Sequence, residues 1–425
     1  MNTRFFNGRI CTMENGSDII SGELWVEGNR VSYVGPGKPS DIHFDREIDL
    51  MGNLVLPGFK NAHTHSAMTF LRSYADDMPL LDWLHKQVFP LEAKLNAEDV
   101  YWFSYLAILE YLSGGITANM DMYMFPHEHA RASIDSGIRT VIVGALNNFG
   151  GSIEQSERDY DYFNNLHERI SARFGFHAEY TCSPELLSEI GSMINRRKAP
   201  VYTHCSESKR EVDECIARTG LTPAQWIDSH GIFNYGGGAY HCVHLTREDM
   251  QIFKQRNLAV ISCPGSNTKL ASGIAPLSEM LDMGIPVALG TDGPASNNCL
   301  DMFREMFLAT GLQKLSHDNA AQLDAMAVLK MACSTGATVM GLSDCDSLAA
   351  GKLADLVVID LHQPNMQPEN NILKNIVFSG SKSNVKLTMI NGEVLYEDGV
   401  FHTSEKPEYV YRKANEHARR IKEAL

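Results

Sequence analysis

Six side chains spread along this 425-residue chain have the chemistry to act on a single ion. His63 and His65 stand two apart in NAHTH, His204 lies in VYTHCSES, His241 and His244 occur in HCVHL, and Asp292 sits in GTDG. Imidazoles with a carboxylate suit a catalytic divalent ion with an open position; zinc is favoured, and iron is compatible. Residues two apart on a strand face the same side, so His63 and His65 can grip one cation together. A lone HxH arises by chance, and a core histidine is its commoner explanation. Here further donors end later apolar runs, and that repetition selects the metal reading. A bound divalent ion lowers the pKa of its water from about 15.7 toward about 7, giving a hydroxide nucleophile at neutral pH. The expected chemistry is metal-assisted hydrolysis, with the ligands drawn from these strand-end histidines and Asp292.

Other residues fit the proton traffic of such a reaction. Glu207 follows His204 by three residues and could deliver a proton to a ring nitrogen while hydroxide adds to the neighbouring carbon. It could equally cap the helix that starts near Ser208, a common place for an acid. Asp292 could take the proton of the nucleophilic water, and His241 could align that water. His244 is assigned a structural role. Cys205 and Cys242, each after a key histidine, read as small hydrophobes beside strand ends. The fourth strand candidate, RFGFHAEYTC, lacks the lysine that bridges two metals in many barrel hydrolases, so one ion is expected.

Ligands so distant in sequence meet only if a closed set of elements carries them to one point. Eight apolar runs alternate with amphipathic helical segments: NLVLPGF, ITANMDMY, RTVIVGAL, RFGFHAEY, PVYTHCS, GAYHCVHL, LAVISCP and IPVALGTDG. Such alternation implies a parallel sheet covered by helices. A middle of roughly 290 residues suits a (β/α)₈ barrel, whose active sites lie at the strand C-termini, where these histidines and Asp292 fall. The ends are β-rich. GELWVEGNRVSYVG and VKLTMINGEVLYEDGVF each place a turn between alternating segments. The expected fold class is therefore α/β: a (β/α)₈ TIM barrel over residues 56–348, with a small β-sandwich domain built from residues 1–55 and 349–425. A charged helix from about Lys406 to Leu425 should pack outside. The Met-rich CLDMFREMFLATGLQKL is read as a helix covering the barrel in preference to an interface.

The net charge of −15 repels phosphate backbones and anionic lipid, so neither nucleic acid nor membrane is an expected partner. No apolar run is long enough to span a bilayer. The opening MNTRFFNGRICTMENG lacks an apolar signal region. Nine cysteines without a CxxC pair fit thiols in a reducing cytoplasm. These features lead to a cytoplasmic protein acting on a small molecule, with homo-oligomerisation left open.

Five motifs, LPGFKNAHTHSAMTFLRSYADDMPLLDWL, THCSES, HCVHL, CPGSNTKLASGIAP and LGTDGPASNN, run from Leu56 to Asn298. With them the chain resembles the amidohydrolase superfamily. Within it the resemblance is to 5-methylthioadenosine/S-adenosylhomocysteine deaminases, with triazine hydrolases as cousins. The resemblance implies that His63, His65, His204 and Asp292 bind the metal, Glu207 shuttles the proton, His241 orients the hydroxide and Asp292 helps accept its proton. It also implies that Glu92 binds ribose hydroxyls, Trp83 walls that pocket and His177 hydrogen-bonds the purine. Without it, Trp83 reads as core, Glu92 as a solvated helix acid and His177 as a buried paired histidine. Arg72, Asp76 and Asp77 are read as loop-ordering ion pairs.

One departure bears on the substrate. Family members that act on S-adenosylhomocysteine carry two arginines around the third strand for its carboxylate. Val143 and Ser152 align there, and Arg158 is nearby at the wrong spacing. A substrate without that carboxylate, such as 5-methylthioadenosine, 5-deoxyadenosine or adenosine, is favoured. One rival keeps the machinery for another heterocycle: guanine, cytosine, a pterin or a triazine. A cyclic-amide hydrolase is disfavoured by the missing lysine. A non-catalytic interaction protein is disfavoured because all four ligands and Glu207 are present.

Overall fold

Short runs of apolar and β-branched residues build a parallel barrel in a computed structural model that describes residues 1–14, 19–39, 41–74, 76–78 and 80–424. Its strands are β1 (Phe59–Thr64), β2 (Ile116–Asp121), β3 (Arg139–Val143), β4 (Ile170–Ala178), β5 (Val201–Cys205), β6 (Gly237–His241), β7 (Leu258–Ser262) and β8 (Val287–Leu289). They pair in chain order as one eight-stranded sheet with helices between them. β1, β2, β3, β5, β7 and β8 are buried at every position, as parallel strands covered on both faces must be. The (β/α)₈ expectation is met.

The first strand lies later than NLVLPGF suggested. That run breaks at Pro57–Gly58. Leu54–Pro57 joins the sheet of the chain ends, pairing with Leu356–Ile359, and β1 begins at Phe59. Hydrophobicity alone could not divide the run, because both halves are buried.

β1 and β8 meet at the barrel's closing edge. The Asp292 N–H donates to the His63 carbonyl at 3.0 Å. The Asn61 side chain bonds both the N–H and the hydroxyl of Thr291, at 2.8 and 2.7 Å. Gly290 makes this approach feasible, since a Cβ there would lie 2.7 Å from the His63 nitrogen. Below the strand ends the barrel is filled by a cluster that includes Ala62, Met120, Val141, Tyr202, Tyr240 and Ile261. Polar ligands are thereby confined to the C-terminal end.

The termini form a second sheet of nine strands. Its core takes Phe5, Leu24 and Val31 from the N-terminal part and Leu356, Val358 and Leu387 from the C-terminal part. Both turns expected from sequence occur: Glu27 pairs with Arg30 across Gly28–Asn29, and Ile390 with Glu393 across Asn391–Gly392. Helix Pro407–Glu423 lies on helix Ala97–Ser113, where buried Asp99 accepts from His417 at 2.6 Å and also from Arg420. Leu425, the last residue expected in that helix, lies outside the described residues. Met302, Phe303 and Met306 of the Met-rich helix Met302–Ser316 are buried over the barrel. No helix among the described residues is long and apolar enough to cross a membrane.

A buried ion pair holds barrel and terminal sheet together at the strand N-termini. Arg139, opening β3, bonds both oxygens of Asp355 at 2.7 and 3.1 Å, and the two side chains are 4% and 0% exposed. Burial opposes the Asp355 charge, but the guanidinium outweighs it and holds the carboxyl below its usual range. A lowered carboxylate pKa stabilises the fold above the unfolded carboxyl pKa, near 4, and that contribution is lost as acid protonates the native group. Arg139→Met leaves this charge buried without its guanidinium, keeping the Asn391 N–H, which donates to Oδ1 at 2.8 Å. It should cost about 3–5 kcal/mol in urea unfolding at neutral pH, with the deficit shrinking toward acid. A cost below about 1 kcal/mol would contradict this role for the pair.

Candidate active site

The strand ends bring His63, His65, His204, His241 and Asp292 to one point. Ligand atoms of His63, His65 and Asp292 lie within 4.8 Å of one another, as do those of His63, His204 and His241. Asp292 Oδ1 stands 3.5 Å from His63 Nε2 and 3.2 Å from His65 Nε2. Its Oδ2 accepts the hydroxyls of Ser266 and Ser296, both at 2.6 Å. One carboxylate oxygen is thus anchored while the other faces the imidazoles.

The rings are fixed from behind. His65 Nδ1 donates to the Met122 carbonyl at 2.6 Å and His204 Nδ1 to the His177 carbonyl at 2.7 Å. A carbonyl can only accept, so in each neutral ring Nε2 keeps its lone pair toward the centre. His241 Nδ1 meets Asn267 Oδ1 at 2.8 Å. His63 stacks on Tyr240 at 3.6 Å, and both its ring nitrogens are buried without a hydrogen-bond partner among the described residues. Such a buried, unsatisfied imidazole fits a divalent cation, as does the mixed donor set. Burial pushes His63 down to about 3, leaving it neutral. Burial also opposes the charged form of His65, but Asp292 outweighs it and holds His65 at about 9, a proton that cation binding would displace.

Glu207 sits at this centre, not in a helix cap. Ser208 is the N-cap of helix Lys209–Thr219 and Glu211 closes its capping box. Glu211 also accepts the N–H groups of Ser206 and Glu207, both at 2.8 Å, so Glu207 is held by its backbone and its side chain is left to the site. Its Oε2 lies 3.9 Å from His241 Nε2, and burial raises the carboxyl above the usual range. A carboxyl shifted in that direction holds its proton to higher pH than a free one, the direction that proton donation needs. Ser208-x-x-Glu211 was legible as a capping box in the sequence and would have reassigned the cap.

A cavity of ≈520 Å³ opens at the ligands and is lined by Trp83, Glu92 and His177, as well as Glu207 and His241. Trp83 is 6% exposed and packs with Val88 and Leu91, so it is both wall and core. Glu92 is no solvated acid: it accepts the Tyr123 hydroxyl at 2.6 Å, and burial pushes it up to about 6. His177 Nδ1 meets Thr181 Oγ1 at 3.1 Å, and burial pushes the ring down to about 4. His244 instead donates to the Ser272 carbonyl, the structural role expected of it. Arg72 pairs with Glu110 and Asp76 with Lys269, while Asp77 has no ion pair among the described residues. Ala75 and Pro79 of that same motif lie outside the described residues.

Supporting residues that the sequence left unassigned are Ser266, Asn267, Ser296, Tyr123 and Glu305. Glu305 is fully buried on helix Met302–Ser316. It accepts the Gly265 N–H at 2.8 Å and the Asn297 amide at 2.7 Å. It therefore ties the segment bearing Ser266 and Asn267 to the one bearing Asp292 and Ser296. Ser266 and Asn267 fall within CPGSNTKLASGIAP, but neither spacing nor residue type distinguishes such support from an ordinary helix start.

At the aligned arginine positions the structure offers no free guanidinium. Val143 lines the cavity. Ser152 caps helix Ile153–Phe163, and Arg158 donates to Gln155 at 2.8 Å. Arg173 also lines the cavity, but its guanidinium is spent on the carbonyls of Ala172, Met340 and Gly341.

The chain is similar to known proteins over most of its length. The amidohydrolase family model matches residues 54–395. A 5-methylthioadenosine/S-adenosylhomocysteine deaminase of Caldanaerobacter subterraneus is 38% identical over 99% of both chains. The solved structure of an adenosine deaminase from Xanthomonas campestris with bound zinc is 29% identical, with a TM-score of 0.94 over 99% of this chain and 98% of that one. An atrazine chlorohydrolase from Arthrobacter aurescens complexed with zinc, 21% identical, shares the fold with a TM-score of 0.89 over 98% of this chain and 100% of that one.

The purified protein should carry about one equivalent of divalent metal, and Asp292→Ala or His204→Ala about a tenth of that or less, by elemental analysis after metal-supplemented expression. Equal metal in the variants would remove these residues from the ligand set.

Proposed function

The chain belongs to the amidohydrolase family and is a hydrolase acting on carbon–nitrogen bonds, and from that premise we propose that it deaminates an adenosine-type nucleoside to the inosine analogue and ammonia. The observation that carries this reading is a buried acid, Glu207, beside His241 and the imidazole–carboxylate cluster, at one end of a cavity that also holds Trp83, Glu92 and His177. His63, His65, His204 and Asp292 would hold one divalent ion, zinc first and iron as the alternative. When bound, that ion supplies acidified water at neutral pH.

The chain's own residues account for the rest. Asp292, its Oδ2 fixed by two serines, receives the proton of the attacking water through Oδ1. His241, oriented by Asn267, aligns that water on the ring carbon bearing the amino group and stabilises the oxygen as charge develops. Glu207 protonates the adjacent ring nitrogen and later the departing amine. Glu92, oriented by Tyr123, accepts the ribose hydroxyls; Trp83 walls the sugar pocket and His177 bonds the purine. With Arg173 tied to backbone carbonyls and Arg158 outside the cavity lining, neither guanidinium is placed as a bidentate partner for a carboxylate at the 5′ end. This supports 5-methylthioadenosine, 5-deoxyadenosine or adenosine over S-adenosylhomocysteine.

Metal-loaded protein should cause loss of adenosine ultraviolet absorbance with at least one of these nucleosides; no loss with any of them ends the substrate assignment. Glu207→Gln should keep its metal and lose turnover by about 10²-fold or more, and unchanged turnover would remove it from proton transfer. Glu92→Ala should raise KM for nucleosides about ten-fold, the loss of one hydrogen bond to a charged group, and leave free bases unaffected. Equal effects on both would favour a free-base or triazine substrate.

A further inference from the structure

The imidazoles gathered around Asp292 are not all held alike. Nδ1 of His65 and Nδ1 of His204 each donate to a carbonyl, and Nδ1 of His241 meets Asn267. His63 has no such anchor, since both its ring nitrogens are buried without a hydrogen-bond partner among the described residues. Its Nε2 nevertheless faces the centre, 3.5 Å from Asp292 Oδ1. A ring without a hydrogen bond must take its orientation from packing.

Tyr240 supplies that packing. Its ring lies against His63 with centroids 3.6 Å apart and planes 19° from parallel, and it meets His204 edge-on at 5.2 Å. Tyr240 is fully buried, and its hydroxyl has no partner among the described residues. What it offers the site is therefore its ring. Successive side chains on a strand face opposite sides, so an inward Tyr240 would send His241 outward. His241 ends β6 with φ 68°, which breaks the alternation and brings its ring to the same centre. β6 thus provides a floor for one imidazole and carries another. One layer nearer the strand N-termini, Tyr202 of β5 lies 6.4 Å from Tyr240, and its hydroxyl donates to the Val339 carbonyl at 2.6 Å.

We propose that Tyr240 is a positioning residue for the metal: its ring face holds His63 in the orientation a divalent ion needs, in place of the hydrogen bond given to the other rings. The inference rests on the ligand set proposed above and adds the residue that orients its first member. An imidazole that gives its lone pair to a cation becomes electron-poor, and the negative face of an aromatic ring then attracts it more strongly. The stack therefore favours the metal-bound form. Loss of a support behind a ligand typically weakens metal binding by about 10–100-fold.

The test measures the zinc Kd by chelator competition for the full-length wild type, Tyr240→Phe, Tyr240→Leu and Tyr202→Leu. Tyr240→Phe keeps the ring and loses only an unpaired hydroxyl, so its Kd should stay within about three-fold of wild type. Tyr240→Leu should bind zinc about ten-fold more weakly or worse. Tyr202→Leu removes a ring from the same interior one layer away from His63, and its Kd should also stay within about three-fold. A Tyr240→Leu Kd within about three-fold of wild type overturns the proposal while the ligand set stands. So does a loss in Tyr240→Phe or Tyr202→Leu as large as that in Tyr240→Leu. A wild type that binds no zinc removes the ligand set and the proposal together. Should Tyr240→Leu fail to fold, Tyr240→Met, which fills the space without a ring plane, is judged by the same limits.

Discussion

One backbone hydrogen bond, from the N–H of Asp292 to the carbonyl of His63, joins the last barrel strand to the first. A parallel barrel can close only where its terminal strands meet, and here the meeting residues are themselves candidate ligands. The bond fixes the distance between an imidazole and a carboxylate that lie 229 residues apart in sequence. Asn61 and Thr291 make the same junction from their side chains, and Gly290 keeps it close. Were the seam to open, neither the ligand set nor the cavity above it would persist.

Around that seam the structure spends its polar groups on orientation. Carbonyls of Met122 and His177 set two imidazoles, Asn267 sets a third ring, and Ser266 with Ser296 pins one oxygen of Asp292. Glu305 ties these last supports together. Preorganisation of this kind means that little has to move when charge develops. It also has a conformational cost: Ser206, His241, Cys242 and Asp292 all take positive φ, of 52°, 68°, 53° and 58°. Non-glycine residues persist there only when the surroundings over-determine them, as close-packed strand ends do.

Stability is concentrated at the opposite end. The Arg139–Asp355 pair lies at the strand N-termini, and below the ligands the interior is filled by apolar side chains and Tyr202 and Tyr240. The barrel thus separates its tasks along one axis, with packing and a buried ion pair at the N-terminal face and strained, polar, addressable groups at the other.

The sequence by itself determined the barrel, the two β-rich ends with their Gly–Asn and Asn–Gly turns, and the residues with ligand chemistry. Each of these is a local signal: an apolar run, a turn dipeptide, an HxH at a strand end. It could not divide NLVLPGF between two sheets, because a run buried on both faces has no periodicity to mark the break. It left Glu207 balanced between cap and acid, and Glu92 between solvent and site. Tertiary structure decided both placements, bringing Tyr123 to Glu92 and giving the capping box to Glu211. It also decided which serines, asparagines and glutamate support the ligands, since hydrogen bonds between residues far apart in sequence leave no pattern in the chain. Local propensity is written in neighbours along the sequence; orientation and burial depend on neighbours in space.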